Sequence, residues 1–349
     1  MPINYERING TTDVATTRTL LHEVIPLTGT IVSGTYGTFP NDDNVKNYSH
    51  GMFQSVYDYP YLSSSANHIF DLTVGFDESS PLSGSANAVQ QRKKINMYNQ
   101  FSQVMLGYTG SANRVRLFES DLTLDESAAD VMKEAVFVNF SRLLTKDQIK
   151  KGSMSITVGT ASWAAPFAGI KTFTDSAASN TGGTLNTVGG DYGVLSSSAA
   201  GVGGIVFYQA GLMVLTSSIW AGTTDFFSSS TAGNRTFDQQ LVSGSISGSA
   251  DAFRHRMQNI QFNNTTEINS TVYFCRAPHN KFNYSNNPTY TSGSSIIVKN
   301  NDRTNPPISY VTTIGLYNSS NELLAVAKLS EPLRKDPTNE LTLRVRLDY

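Results

Sequence analysis

The sequence predicts a mainly β protein with antiparallel sheets arranged like a β-sandwich and a pair of helices inserted in the first half. Apolar and polar residues alternate without interruption over residues 341–349. Two β-rich runs before that segment are joined by a polar turn at residues 318–321. Strict alternation is typical of a strand with one buried face, and two such runs around a short polar turn predict a hairpin.

Helical periodicity marks two segments of the first half. In residues 85–106 apolar side chains recur at intervals of three and four: Ile95, Tyr98, Phe101 and Met105. Ser85 is a candidate N-cap, and Gly107 lies where the helix should end. A second helix is predicted within residues 125–144 from one apolar face: Val136, Phe140, Leu143 and Leu144.

Short runs of β-forming residues predict strands in the rest of the chain. They cover residues 17–25 (a strand or a short helix), 29–37, 69–76, 114–118, 260–262, 270–276 and 295–299. Residues 204–216 contain enough apolar β-formers for two strands joined at Ala210 and Gly211.

Changes in composition divide the chain into three regions. Residues 1–152 form a mixed α/β region with two helices, and residues 153–250 a Gly/Ser/Thr-rich β region. Residues 251–349 form a C-terminal antiparallel β region. Long polar loops are predicted at 174–198 and 226–250, mobile unless a partner orders them.

Charge and cysteine content limit the classes of function. The formal net charge is -2, which gives no global attraction to nucleic acid or to an anionic membrane. Charged residues make up 15%, against roughly 25% in ordinary globular proteins. A surface poor in charged residues suits a protein covered by neighbouring subunits. A β protein rich in Ser, Thr and Asn would have the same low fraction of charged residues without any partner. Cys275 is interpreted as a small buried hydrophobic residue. The sequence predicts neither a signal peptide nor a membrane span.

Motifs for catalysis, cofactors or metals are incomplete. Residues 244–248 have Ile246 where a nucleophile elbow requires Ser, so they are interpreted as a loop. The glycines at 201–204 precede a strand instead of following one, which argues against a dinucleotide site. The histidines show no metal-binding spacing: His22, His50, His68, His255 and His279. We therefore predict no enzyme activity, no catalytic residue, no cofactor and no metal.

Two small basic clusters have two possible interpretations. Residues 90–94 and 146–151 could contact nucleic acid, or they could be solvated helix faces near helix ends. The second interpretation is favoured because the net charge is negative and aromatic residues are not interleaved with the basic ones.

Several segments resemble one family of proteins. Residues 310–317, residues 322–332 and the closing Leu-x-Val-x-Leu-Asp-Tyr resemble the C-terminal part of virion structural proteins of contractile-tailed bacteriophages, especially marine and cyanobacterial ones. Further similar segments are residues 93–101, 138–144, 149–153 and 276–288. The resemblance implies a subunit of the phage particle.

The function expected from this resemblance is structural. The chain would be a baseplate component or a tail/fibre connector acting through subunit interfaces, located in the virion and assembled in the host bacterial cytoplasm. Its partners would be other virion proteins and copies of itself, without a small-molecule substrate or nucleic acid. The alternatives are a fibre-associated host-recognition protein with the two polar loops as adhesive tips, a neck or head protein, and a hydrolase using Ser245 or Ser247.

The terminal alternating segment supplies the candidate interaction residues. They are Leu341, Leu343, Val345, Leu347 and Tyr349. They would act either as the core face of a sheet or by strand addition to a partner.

Overall fold

The computed structural model describes residues 5–26, 42–85, 88–109, 114–231, 233–283, 291–292, 295–296, 304 and 308–349. The strands are β1 Val14–Pro26, β2 Val45–Asn47, β3 Gln54–Tyr57, β4 His68–Phe76, β5 Phe118–Glu119, β6 Val131–Met132, β7 Glu134–Phe140, β8 Gln148–Ile149, β9 Ser155–Gly159, β10 Ile170–Thr174, β11 Leu185–Thr187, β12 Gly190–Ser197, β13 Gly201–Phe207, β14 Leu212–Thr216, β15 Phe227–Ser229, β16 Gly233–Arg235, β17 Met257–Ala277, β18 Thr291–Ser292, β19 Ser295–Ile296, β20 Ser309–Tyr317, β21 Leu323–Lys335 and β22 Leu341–Asp348. The helices are α1 Val89–Met105, α2 Arg142–Thr145, α3 Phe237–Ser243 and α4 Ile246–His255.

The chain forms two compact units. The terminal unit consists of Met1–Leu20 and Glu267–Tyr349, and the central unit consists of Leu21–Thr266. Both regional boundaries predicted from composition, after residues 152 and 250, fall inside the central unit. The changes in composition therefore do not coincide with the ends of these units.

The central unit is built on one antiparallel sheet. Its strands follow the order β17-β9-β10-β12-β13-β14-β7-β4-β3-β2, with β11 added to β12 and β8 added to β17. The expected mainly β fold is confirmed. The two strands predicted within residues 204–216 are β13 and β14, and Gly211 takes a left-handed φ of 68° in the turn between them.

The sheet curves around an apolar core. The rings of Phe140 on β7 and Phe262 on β17 lie 5.0 Å apart, although five strands separate them in the sheet order. Helices α3 and α4 contribute to the same core, where Phe237 stacks on Trp220 at 5.2 Å and Phe253 meets it edge-on at 5.7 Å. The core therefore lies on the concave side of the sheet, with the helices against it.

The prediction of a second helix within residues 125–144 is wrong. Residues 134–140 form the strand β7, and only the single turn α2 follows. Val136 and Val138 enter the concave core, whereas Ala135 and Phe137 enter a second apolar cluster on the other face. Because both faces are covered, the strand is a continuous apolar run, which sequence periodicity cannot distinguish from a buried helix.

The first predicted helix is confirmed as α1. Its N-terminal residue is Val89, and Ala88 occupies the N-cap position without a side-chain hydrogen bond, so the assignment of Ser85 as the cap is wrong. Gly107 follows the helix with a left-handed φ of 78°, as expected for a helix-ending glycine. The helix lies close to β4, because a Cβ atom on Gly75 would be 2.7 Å from the carbonyl oxygen of Lys94.

The two predicted polar loops contain regular structure. Residues 174–198 hold β11 and β12, and residues 226–250 hold β15, β16, α3 and the start of α4. Thr236 and Gln239 form a reciprocal capping box at the start of α3. Ser245 caps α4 by accepting a hydrogen bond from the Gly248 N–H, so residues 244–248 begin a helix and are not simply a loop.

The terminal unit contains the predicted C-terminal hairpin and terminal strand. The hairpin is β20 and β21, and the last strand β22 pairs with β17 from Ser270 to Ala277. The predicted strands at residues 29–37 and 297–299 lie outside the described residues. Residues 17–25 belong to a strand, β1, and the predicted strand at 114–118 is reduced to a bridge at Val115 followed by β5.

Candidate interaction surface

The five candidate residues lie on or directly after β22, and four of them share one face. Val345 is buried, whereas Leu341, Leu343 and Leu347 are half-buried, and every intervening side chain is exposed. In the pairing with β17, Val345 lies opposite Tyr273 and Leu343 opposite Cys275. This packing forms one face of the β17–β22 sheet; the role of the four residues, as a core face or in strand addition to a partner, stays a prediction.

Tyr349 differs from the other four candidates. Its side chain is 74% exposed, and its hydroxyl oxygen lies 3.1 Å from the Thr271 hydroxyl oxygen. Its backbone exchanges two hydrogen bonds with Asn269, so the pairing continues to the end of the sequence. Tyr349 therefore presents an aromatic ring at the end of β22.

Polar groups line the other face of β22. Arg344 and Arg346 are exposed, and Arg346 forms an ion pair of 2.7 Å with Asp348. Ser270 donates a hydrogen bond to Asp348, and this bond and Arg346 lower the pKa of the Asp348 carboxyl. Within the described residues, β17 is the only strand that pairs with β22, so the second edge of β22 has no strand neighbour there.

The β20–β21 ribbon, defined as residues 309–335, is the second exposed feature of the terminal unit. Asn318 organises its turn by accepting hydrogen bonds from the Ser320 and Glu322 backbone N–H groups, and Asn321 takes a left-handed φ of 63°. The ribbon pairs with no other strand in the part of the chain that the structure describes. Two isolated strands are marginally stable in water.

Large apolar side chains of the ribbon are exposed to solvent. Their exposed fractions are 64% for Tyr310, 44% for Tyr317, 51% for Leu323, 68% for Leu324 and 52% for Val326. On the opposite face, Leu316 is 8% exposed and lies across from Ala325. One face of the ribbon is therefore covered, and the other presents an apolar surface of the kind that marks interaction sites.

A buried lysine anchors the base of the ribbon. The Lys335 ammonium donates hydrogen bonds to the carbonyl oxygen of His279 at 3.3 Å, to Oδ1 of Asn283 at 2.6 Å and to the carbonyl oxygen of Asp336 at 2.9 Å. Burial lowers the pKa of this ammonium. Near the turn, the Tyr317 ring contacts the Tyr5 ring at 4.9 Å. These contacts hold both ends of the ribbon within the terminal unit.

One basic cluster of the central unit, residues 90–94, is only partly a solvated helix face: Gln90 and Arg92 are exposed, whereas Lys94 is not. Lys94 is fully buried, and its ammonium donates hydrogen bonds to the carbonyl oxygens of Leu241 and Gly244 at the end of α3. Burial lowers its pKa to about 8. The interpretation of residues 90–94 as a solvated face is therefore wrong for Lys94, which joins α1 to α3. In the second cluster, Lys151 forms an ion pair of 2.6 Å with Asp191.

Groups that could carry chemistry are dispersed in the central unit. A groove of about 690 Å³ contains both signs of charge, including the ion pair of Arg114 with Glu126 and the side chain of Lys133. The Ser245 and Ser247 hydroxyl oxygens lie 3.2 Å apart at the start of α4. No group of three or more His, Cys, Asp or Glu side chains placed to hold a metal ion occurs among the described residues.

Comparison with known proteins gives no match to a protein-family model, to a curated protein or to a solved structure. None of the helices within the described ranges is both long and apolar enough to cross a bilayer.

Proposed function

We propose that this chain is a structural subunit that holds neighbouring polypeptides through its terminal unit. The observation that carries this proposal is the β20–β21 ribbon, where Leu324 and Val326 are 68% and 52% exposed on a two-stranded element. Contiguous exposed apolar side chains favour a partner that covers them, because water contact with this area is unfavourable. The low content of ionisable groups is consistent with extensive coverage.

The particular assembly that we propose is the virion of a contractile-tailed bacteriophage. The ribbon and β22 coincide with the segments whose sequence resembles the C-terminal part of virion structural proteins. A baseplate component or tail/fibre connector is the preferred position, with the neck or head as alternatives. The host-recognition alternative loses its predicted adhesive loops, because residues 174–198 and 226–250 contain strands and helices.

Complementation during infection tests this function. In a phage lacking its own copy of the gene, we expect the supplied chain to appear in purified particles and Leu324→Asp to reduce its incorporation strongly. Leu62→Asp is the matched control, because Leu62 is 86% exposed in the central unit. Thermal unfolding of both purified variants checks that each remains folded.

Each outcome of the infection experiment has a distinct meaning. Absence of the wild-type chain from purified particles overturns the virion role. Normal incorporation of the Leu324 variant overturns the role of the ribbon. The position of the chain in an averaged particle image distinguishes baseplate, neck and head. Deletion of residues 341–349 should also prevent incorporation, but it removes the partner of β17, so the substitution is the cleaner test.

A further inference from the structure

A buried lysine meets a side-chain amide at the base of the β20–β21 ribbon. The Lys335 side chain is fully buried, and its Nζ atom lies 2.6 Å from Oδ1 of Asn283. Its other two hydrogen bonds go to the backbone carbonyl oxygens of His279 and Asp336. All three acceptors are neutral oxygen atoms, so no carboxylate hydrogen bond offsets the removal of this ammonium from water.

We propose that Lys335 and Asn283 form a covalent isopeptide bond within the folded chain. In the product, Nζ of Lys335 is joined to Cγ of Asn283, and the amide nitrogen of Asn283 has left as ammonia. The bond links the end of β21 to the segment that follows β17, between residues 52 positions apart in the sequence. This inference concerns the chemistry of the chain itself and does not rest on the proposed function.

The two reacting groups already lie at attack distance. The separation of 2.6 Å between Nζ and Oδ1, for a donor near a lone pair of a carbonyl bond of about 1.23 Å, places Nζ about 3–3.5 Å from Cγ of Asn283. Reacting atoms held at this separation need no encounter in solution, which removes much of the entropic barrier to amide exchange.

Burial favours the reactive form of the lysine. The nucleophile is the neutral amine, and desolvation is a general way to produce it. Burial is the largest influence on the pKa of Lys335 and lowers it, whereas the negative charges of Asp336 and Glu340 act in the opposite direction. At a given pH the neutral amine is therefore more populated here than at an exposed lysine.

The reaction balances without an oxidant, a reductant or a co-reactant. The ammonium first loses a proton to solvent, and the lone pair of Nζ then forms a bond to Cγ while the carbonyl electrons move to Oδ1. A proton passes from Nζ to Nδ2, the electrons return from Oδ1, the Cγ–Nδ2 bond breaks and ammonia leaves, to be protonated in solvent. One amide replaces another, so the release of ammonia into dilute solution drives the exchange.

One backbone carbonyl group brings the nucleophile and the leaving group together. The carbonyl oxygen of His279 accepts hydrogen bonds from Nδ2 of Asn283 at 2.7 Å and from Nζ of Lys335 at 3.3 Å. Both nitrogen atoms therefore lie beside the same acceptor, which favours proton transfer between them. Asn283 is half-buried, so ammonia has a path to solvent. Phe282, directly before it, takes a left-handed φ of 60°, which is rare for a bulky residue and typical of constrained functional positions.

Another fully buried lysine, Lys94, lacks a partner for this reaction. Its ammonium donates to the backbone carbonyl oxygens of Leu241 and Gly244, where amide exchange would break the main chain. Lys335 differs because Asn283 offers a side-chain amide, whose leaving group is ammonia. Burial of a lysine alone therefore does not predict the bond; the contact with Asn283 does.

Mass spectrometry of the purified full chain tests the bond. After prolonged incubation in native buffer, the wild type should be lighter than its sequence predicts by the mass of one ammonia molecule. Tryptic digestion should give one branched peptide that joins residues 282–299 to residues 335–344, because trypsin does not cleave after an acylated lysine. An unmodified Lys335 in all of the incubated protein overturns the proposal.

Two substitutions separate this reaction from loss of ammonia elsewhere in the chain. Lys335→Arg keeps the positive charge and the hydrogen-bond donors but has no nucleophilic amine, so the branched peptide and its loss of ammonia should disappear. Lys281→Arg is the matched control, because Lys281 is 41% exposed and forms an ion pair with Glu6. This variant should form the bond as the wild type does. A loss of ammonia of the same extent in Lys335→Arg overturns the proposal.

The reaction should also depend on the folded structure. In freshly purified wild-type protein, the linked fraction should rise with time in native buffer and stay constant in urea, because the unfolded chain does not hold Lys335 against Asn283. An equal rise in both solutions overturns the proposal. These measurements use the purified chain and no particles, so their failure is distinguishable from failure of the virion role.

Discussion

Phe140 on β7 and Phe262 on β17 have ring centroids 5.0 Å apart, although five strands lie between β7 and β17 in the sheet. Contact between strands so distant in the sheet order requires strong curvature. This pair therefore connects two distant parts of the sheet across the core of the central unit.

Removing one ring of this pair should lower the stability of the folded protein. We expect Phe262→Ala to lower the free energy of unfolding by about 3–5 kcal/mol, because the 1% exposed side chain would leave a cavity. Urea unfolding measures the change. Leu62→Ala, at an 86% exposed position, should change it by less than about 0.5 kcal/mol. Similar losses of unfolding free energy for both variants would contradict the packing of Phe262 in the core of the central unit.

The close contact of α1 with β4 gives a second prediction. Gly75→Ala should destabilise the protein by about 1–3 kcal/mol, because its Cβ atom would lie 2.7 Å from the Lys94 carbonyl oxygen. Gly84→Ala is the control, since its added Cβ would meet no atom within 4 Å. Denaturant unfolding compares the two, and equal stability would show that α1 can move away from β4 at little cost.

The buried Lys94 predicts a pH-dependent stability. Burial lowers its pKa from 10.5 to about 8 in the folded protein, so the unfolded chain binds more protons between these two values. The free energy of unfolding of the wild type, relative to Lys94→Met, should therefore rise from about pH 8 to about pH 10.5. Urea titrations of both proteins across this range measure the difference. A difference that falls or stays constant over this pH range would contradict a lowered pKa for the buried Lys94 ammonium.

The fully buried carboxyl of Asp175 gives a fourth prediction. It accepts hydrogen bonds from the backbone N–H groups of Gly152 and Met154, both at 2.8 Å, and from the Tyr208 hydroxyl at 2.9 Å. Burial raises its pKa, and these hydrogen bonds oppose the rise. Asp175→Asn should lower the free energy of unfolding by about 1–3 kcal/mol at neutral pH, because the amide group of Asn cannot accept all three of these hydrogen bonds.

A second substitution separates the contributions at this site. Tyr208→Phe removes one donor and leaves both backbone donors paired with the carboxylate. We therefore expect a smaller loss of unfolding free energy, about 1 kcal/mol. Thermal and urea unfolding of both variants provide the comparison. A larger loss for the tyrosine variant would indicate that the phenol, and not the two backbone N–H groups, is the principal partner of Asp175.

Some elements were visible in the sequence because their pattern is local. The alternation over residues 341–349 predicts β22, and the polar turn at residues 318–321 predicts the ribbon. The missed helix α3 also carried a local signal, since Thr236 and Gln239 have the spacing of a capping box. Its Ser/Gly-rich surroundings concealed that signal.

Other features depended on contacts that a linear pattern does not contain. The apolar run at residues 135–138 fits a helix or a strand buried on both faces, and only the neighbours β4 and β14 decide between them. Likewise, the spacing of residues 90–94 is that of a solvated basic patch, yet α3 covers Lys94.

The amino-acid sequence alone determined the mainly β class, the helix α1 and the alternating terminal strand, because each depends on the period with which apolar residues recur within one segment. The tertiary structure decided the curvature of the sheet, the strand β7, the burial of Lys94 and the exposure of the ribbon. These features depend on which distant segments come together, and long-range packing can override local propensity when it covers a second face or leaves one uncovered.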